Sequence, residues 1–156
     1  MPEISQDLIG NFNYCNVPNE YYNINSDNPG IAVWKYWHEK FFIDSIIAPS
    51  ALNETFFNDI NSLAPFGSGN SEPKFVIENL QVVASDIIAN KHIKTVLHAK
   101  DGSTIKGIAF NAKDSPLEPY LNKKNKKNFN IAGKMSLNEW RGRKNIEFII
   151  EDVSLN

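Results

Sequence analysis

The residues best suited to chemistry in this chain are cations and flat rings, and they crowd into one stretch. Residues 91–144 hold thirteen Lys or Arg against four acids, a balance of +9. Residues 1–90 hold three lysines against eleven acids, −8, and residues 145–156 add three acids, −3. The formal net charge of −2 conceals that asymmetry. A segment this basic in a nearly neutral chain is the footprint of a polyanion-binding surface, although lysines that merely keep a domain solvated give the same count. Lys91, His92 and Lys94 open one β-type segment, with His92 and Lys94 on the same face, and Phe110 and Asn111 end the next. Lys134 and Asn138 lie on the polar side of a later segment, and Trp140 is followed by Arg141, Gly142 and Arg143. Cations that track phosphates, beside rings on which bases stack at about 1–3 kcal/mol each, hold a single-stranded nucleic acid without reading its sequence. Each group also has a plainer reading. Phe110 would serve as a core residue, Trp140 as a plug at one end of the core, and the lysines as a solvated edge.

Hydrolytic chemistry finds no comparable support. The three histidines, His38, His92 and His98, are scattered and none adjoins an aspartate. A two-metal site needs several converging carboxylates and imidazoles, whereas the acids here fall mostly in the first half of the chain. No catalytic centre, metal or cofactor is therefore expected of this chain. The single cysteine, Cys15, has no partner for a disulfide or a zinc site. The turn Gly67-Ser68-Gly69-Asn70 lacks a following Lys-Ser/Thr and precedes a strand, which excludes a phosphate-cradling P-loop and leaves its glycines to allow a tight bend. No apolar run approaches the roughly 20 residues of a membrane span, and the opening MPEISQDLIGNF has no basic, apolar leader. A cytosolic protein with no membrane contact is expected.

Periodicity supplies the elements that would position these groups. Residues 1–40, rich in Asn and Tyr, show neither helical nor strand spacing and read as loosely ordered, with Trp34, Tyr36, Trp37 and His38 as an edge strand or docking patch. Leu52, Phe56, Phe57, Ile60 and Leu63 recur at helical spacing before Pro65 and Gly67, so a brace helix is expected over 51–63 within a 41–72 connecting segment. The rest, 73–156, carries five β-type segments near 74–84, 91–99, 103–111, 129–138 and 145–153, with Asp101-Gly102 as a hairpin turn. In the fourth, Phe129, Ile131, Met135 and Leu137 mark a dry face, and Asn130, Lys134, Ser136 and Asn138 a wet one. Ser115-Pro116-Leu117-Glu118 starts a short helix with a capping box between the third and fourth segments. Lys123, Lys124, Lys126 and Lys127 follow it, where cations suit a helix dipole or, alternatively, meet nucleic acid. Three strands, a helix and two strands is the order of a five-stranded OB barrel, in a mainly β protein. A split barrel or an α+β sandwich shares that order.

The stretches APFGSGNSEPKF (64–75), KHIKTVL (91–97), GIAFN (107–111), NEWRG (138–142) and IEFIIEDV (146–153) resemble, in order and spacing, the C-terminal OB domain of the single-stranded-DNA-specific exonuclease family RecJ. Residues 42–63 also look like the helix leading into that domain, so the resemblance covers 42–153. Where the family has proline after the Gly-x-Gly-Asn turn, this chain has Ser71. The resemblance implies a domain that binds single-stranded DNA. It also implies a parent enzyme that degrades such DNA from the 5′ end with manganese or magnesium held by DHH-type motifs. Those motifs, and the Gly-Gly-Gly-His signature of the family's second domain, are absent here. The expected partners are single-stranded DNA and, in a competing reading, a separately encoded DHH nuclease core onto which this chain docks.

Overall fold

Alternating β-branched and aromatic residues make strands here, and the strands close into a ring. The computed structural model describes residues 42–155. In chain order these are β1 (Ser45–Ile46), a 3-10 turn (Pro49–Ala51), α1 (Glu54–Asn61), β2 (Phe75–Ile88), β3 (His92–Ala99), β4 (Thr104–Ala109), α2 (Glu118–Leu121), β5 (Phe129–Trp140) and β6 (Arg143–Leu155). β2 pairs with β3 and β3 with β4, both antiparallel, and β4 then pairs with β6 in parallel. β6 pairs antiparallel with β5, which returns to β2. A mainly β ring with one helix between β4 and β5 is the OB-like architecture expected from the segment order, and closing the sheet removes most of its free edge. The two-residue β1 runs parallel to the start of β2, Ser45 opposite Phe75, an addition too short for periodicity to reveal.

The interior is filled from every strand of the ring, with Leu80, Leu97, Ile105, Phe129, Ile131 and Phe148 all buried. Two glycines let the strands approach. A Cβ on Gly133 would lie 1.9 Å from the Ile149 carbonyl oxygen, at the point where the β5–β6 register shifts between Ala132 and Gly133. Gly133 is also the last residue of β5 to pair with β2, so this bulge bends β5 from one neighbour towards the other. A Cβ on Gly107 would meet Ile150 Cδ1 at 2.7 Å.

The helices are shorter than their sequence patterns. α1 starts where the Asn53 side chain accepts the Phe56 N–H at 2.9 Å. Phe56, Phe57 and Ile60 pack on the core, and the Phe56 ring stands 5.7 Å from that of Phe75. The brace helix is thus present, but it ends at Asn61, and Leu63, expected in its apolar stripe, is 58% exposed. Before α2, the Leu117 N–H donates to Ser115 Oγ at 3.2 Å while Glu118 Oε2 accepts the Asp114 N–H at 2.6 Å. Glutamate therefore reaches one residue further back than in a capping box. Only one helical turn follows, with Leu121 fully buried.

The polar face of β5 also needs correction. Asn130, expected to be wet, is 5% exposed: its Oδ1 accepts the Asn79 N–H at 3.0 Å and its Nδ2 donates to Ser154 Oγ at 3.3 Å. It serves backbone that bends out of register where β2 passes between Ile77 and Leu80. In the turn of residues 67–70, neither Gly67 nor Gly69 takes a positive φ. The bend is held instead by Asn70, whose Nδ2 donates to the carbonyls of Leu63 at 2.8 Å and Pro65 at 3.1 Å. The Asp101-Gly102 hairpin forms as expected, with Gly102 at φ 90°. Asp101 Oδ1 accepts the Ser103 N–H at 2.8 Å, which lowers the pKa of that carboxyl. Residues 1–40, with Cys15 and the Trp34–His38 cluster, lie outside the described residues. Among those described, no helix is long and apolar enough to cross a membrane.

Two glycine substitutions separate closure from mere turning. Gly133→Ala should destabilise the domain by about 3 kcal/mol or more in denaturant unfolding, because a backbone oxygen occupies the space of the new methyl. Gly67→Ala, with open space and no positive φ, should leave stability within about 1 kcal/mol of the parent or raise it slightly.

Candidate nucleic-acid interface

Strand register determines which of the candidate residues share a surface. Directly paired residues project to one side of a sheet, and the pairs Asp86–Lys94, Lys94–Ile108, Ile108–Ile149 and Ile149–Lys134 form one lateral row across β2, β3, β4, β6 and β5. Their chain neighbours Ile93, Ala109, Phe148 and Met135 are buried inside, so the row runs round the outer wall. On β6 the outward set continues through Glu147, Asn145 and Arg143. Lys94, level with Ile149, and Arg143 consequently lie on the same outer surface, about 20 Å apart along β6. Asn138, exposed on β5, pairs with Asn145 in the same region. Lys134 is on the outer wall too, but three ladder steps round the barrel from Lys94.

One end of this surface is built by the β2–β3 connection and the exit of β4. Lys91 is exposed in the turn, and its carbonyl accepts the Lys113 N–H at 3.2 Å. The Asn111 N–H donates to His92 Nδ1 at 3.0 Å, which fixes the orientation of the ring against the end of β4. Asn111 takes φ 55°, turning the chain away from the sheet. Phe110 is 52% exposed and meets His92 edge-on, with centroids 5.2 Å apart and an interplanar angle of 78°. Phe110 is therefore a surface ring rather than a core residue. The other end is the β5–β6 hairpin, where Arg141 (φ 51°) and Gly142 (φ 73°) form a two-residue turn of the I′ kind. Trp140 is the last residue of β5, paired with Arg143, and not part of the turn as its sequence position suggested. Its side chain lies outside what the structure describes. Arg143 is exposed.

The middle of the surface is electrostatically quieter than the count of lysines implies. Lys94 Nζ lies 3.2 Å from Glu147 Oε1, whose side chain is only 10% exposed. Away from the middle, Lys134 is ion-paired with Glu72, and Lys74 with Glu151 at 2.5 Å. Two cations outside the candidate set that the sequence suggests, Lys100 and Lys106, are exposed on the β3–β4 hairpin and the outer side of β4. Lys106 was legible as the middle of the outward alternation Thr104, Lys106, Ile108. Lys94, His92, Phe110, Asn111, Asn138 and Arg143 are thus brought onto one wall, with Lys91 and Arg141 at its two loops and Lys134 off its side.

Among the described residues no group of three His, Cys, Asp or Glu could hold a metal ion. The family described as the RecJ OB domain matches residues 43–152. The chain is 30% identical over 102 residues to the single-stranded-DNA-specific exonuclease RecJ of Bacillus subtilis (strain 168), covering 63% of this chain and 12% of that protein. Two crystal structures of RecJ from Thermus thermophilus are similar in fold. The complex with Mn2+ has a TM-score of 0.50 at 23% identity, over 69% of this chain and 14% of that one. The complex with Mg2+ has a TM-score of 0.52 at 16% identity, over 81% and 19%. The chain spans less than a fifth of the length of each of these relatives.

The Lys94–Glu147 pair gives a direct check on the site's electrostatics. Lys94→Met leaves a nearly buried carboxylate without its cation and should destabilise the domain by about 1–3 kcal/mol. Adding Glu147→Met should recover most of that loss in the same unfolding measurement, because the uncompensated charge is then gone.

Proposed function

This chain belongs to the RecJ OB domain family, and on that premise we propose that its outer β3–β4–β6 wall binds single-stranded DNA. In this proposal the domain serves a RecJ-like 5′-3′ single-strand exonuclease, in the cytoplasm, during DNA recombination and repair. The observation that carries the reading is the register of the ring. It aligns Lys106 and Arg143 on one wall with Lys94, and places the half-exposed Phe110 at its end. That wall is framed by the β2–β3 turn and the β5–β6 hairpin, the connections with which OB folds hold oligonucleotides. Lys91, Lys106, Arg141 and Arg143 would neutralise phosphates and release counterions. Phe110, steadied edge-on by His92, would stack one base, and Asn111 and Asn138 would supply polar contacts at the two ends. Lys94 and Lys134 have carboxylate partners, so a phosphate would have to displace Glu147 or Glu72 to use them fully.

No hydrolytic role is assigned to the described residues, and the nuclease chemistry is proposed to reside in DHH-type domains outside them, with manganese or magnesium bound there. A second reading, docking onto a separately encoded DHH nuclease core, draws on Phe42 and Leu63, which are 78% and 58% exposed.

Fluorescence anisotropy with labelled oligothymidylate between about 50 and 200 mM salt tests the DNA reading. Affinity should fall steeply with salt, by a slope of about −0.7 per phosphate neutralised, and Lys106→Ala with Arg143→Ala should flatten that slope by about 1.4. Phe110→Ala should weaken binding by about 1–3 kcal/mol with no change in slope. No binding at low salt, or binding indifferent to all three substitutions, would reject the wall as the site.

A further inference from the structure

The connection between α2 and β5 contains a short tandem repeat, Asn122-Lys123-Lys124-Asn125-Lys126-Lys127-Asn128. Each asparagine has a structural task. Asn122 Oδ1 accepts the Lys124 N–H at 3.0 Å, and Asn125 Oδ1 accepts the Lys127 N–H at 3.0 Å. These are two successive turns of the same kind, joined by the Asn125 N–H donating to the Asn122 carbonyl at 2.8 Å. Asn125 Nδ2 ties the pair back to the Tyr120 carbonyl at 2.9 Å, and Asn128 Oδ1 accepts from Gln81 Nε2 at 2.6 Å. The segment is therefore pinned at its start, middle and end.

All four lysines of the repeat are exposed, and none forms an ion pair among the described residues. Lys74, Lys94, Lys113, Lys134 and Lys144, by contrast, each have a carboxylate partner. A helix dipole does not account for the cluster: α2 is four residues long, and Lys126 and Lys127 stand beyond its last turn. Four mutually repelling charges are held together with no carboxylate among the described residues paired to them. Their placement links them to the outer wall. Gln81 pairs with His98, and His98 with Thr104, so Asn128 ends the repeat beside a lateral row that crosses β2, β3 and β4 towards β6. That crossing is about 14 Å.

We infer that residues 122–128 form a second phosphate-contacting element, which carries a bound single strand past the β2 edge of the wall and lengthens the site. The inference rests on the DNA-binding reading of the wall and adds to it a direction and an extent. A strand long enough to leave the wall on the β2 side meets the four lysines; a shorter one does not.

The test compares two oligothymidylates, of about six and about fifteen nucleotides, within the range that single OB folds occupy. Replacing Lys123, Lys124, Lys126 and Lys127 with glutamine should leave affinity for the short strand within about twofold. For the long strand it should lower affinity about tenfold or more and flatten the salt slope by up to about 3. Asn125→Ala, which keeps every charge but removes the middle pin, should lose part of the long-strand affinity only. The inference is overturned if the four-glutamine variant binds the long strand with unchanged affinity and slope while Lys106→Ala/Arg143→Ala still weakens it. It is overturned as well if Asn125→Ala binds like the parent, since the turns then place nothing. Failure of the parent protein to bind either strand would defeat the wall itself, and this element with it.

Discussion

The parallel seam between β4 and β6 is two residue pairs long, Gly107 with Phe148 and Ile108 with Ile149, and it decides which side chains share the outer wall. Without it, β4 and β6 would be the two free edges of one open sheet, β4-β3-β2-β5-β6, and Lys106 would stand four strands away from Arg143 instead of on the neighbouring strand. The seam forms because Gly107 has no side chain to collide with Ile150, and because the bulge at Gly133 lets β5 turn between β6 and β2. Barrel closure and site assembly are therefore one event: the same two bare backbone positions that allow the core to seal also bring the cations of four separate segments onto one surface.

Charge on that surface is graded rather than uniform. In the middle, Lys94 meets Glu147, and at the margins Lys134 meets Glu72 and Lys74 meets Glu151. Three of the acids that make the whole chain slightly negative thus neutralise lysines of the barrel. The exposed cations Lys91, Lys106 and Arg143 sit beside the turns and on β4, where a flexible polyanion would pass over rather than into the wall. Shallow contacts of this kind suit a ligand held by its backbone, because screening by salt can release it without disturbing the fold.

Much of the fold was legible in the sequence, for identifiable reasons. The five strands announce themselves by alternation, and the Asp101-Gly102 hairpin by the need for positive φ. The β4–β6 pairing, by contrast, joins residues forty-one positions apart and leaves no periodic trace; the order of the segments suggested a barrel, and the resemblance to a known family separated it from the alternatives. Leu63 fits a helical stripe yet falls beyond the cap at Ser62. Asn130 alternates correctly but is buried, because backbone groups of a neighbouring strand needed its amide. The candidate site was legible in composition and only partly in detail. Lys94 and Lys134 were chosen for their charge, and no local pattern reveals carboxylates fifty-three and sixty-two residues away. Lys106 stands in the middle of a strand, where alternation marks it as facing out but no turn or ring beside it marks it as a contact. Phe110, ambiguous between core and surface by type alone, is settled by its 52% exposure.

Backbone amide chemical shifts of the 15N-labelled chain, followed during titration with unlabelled oligothymidylate, report the contacted surface without altering any residue. Binding on the wall should move amides of the outward residues of β3, β4 and β6, together with those of Lys91, Asn111, Arg141 and Gly142, while α1 and the neighbouring Gly-Ser-Gly turn stay still. A pattern centred on α1 and β1, with β3, β4 and β6 unmoved at saturation, would show that this family's fold is used here through a different face.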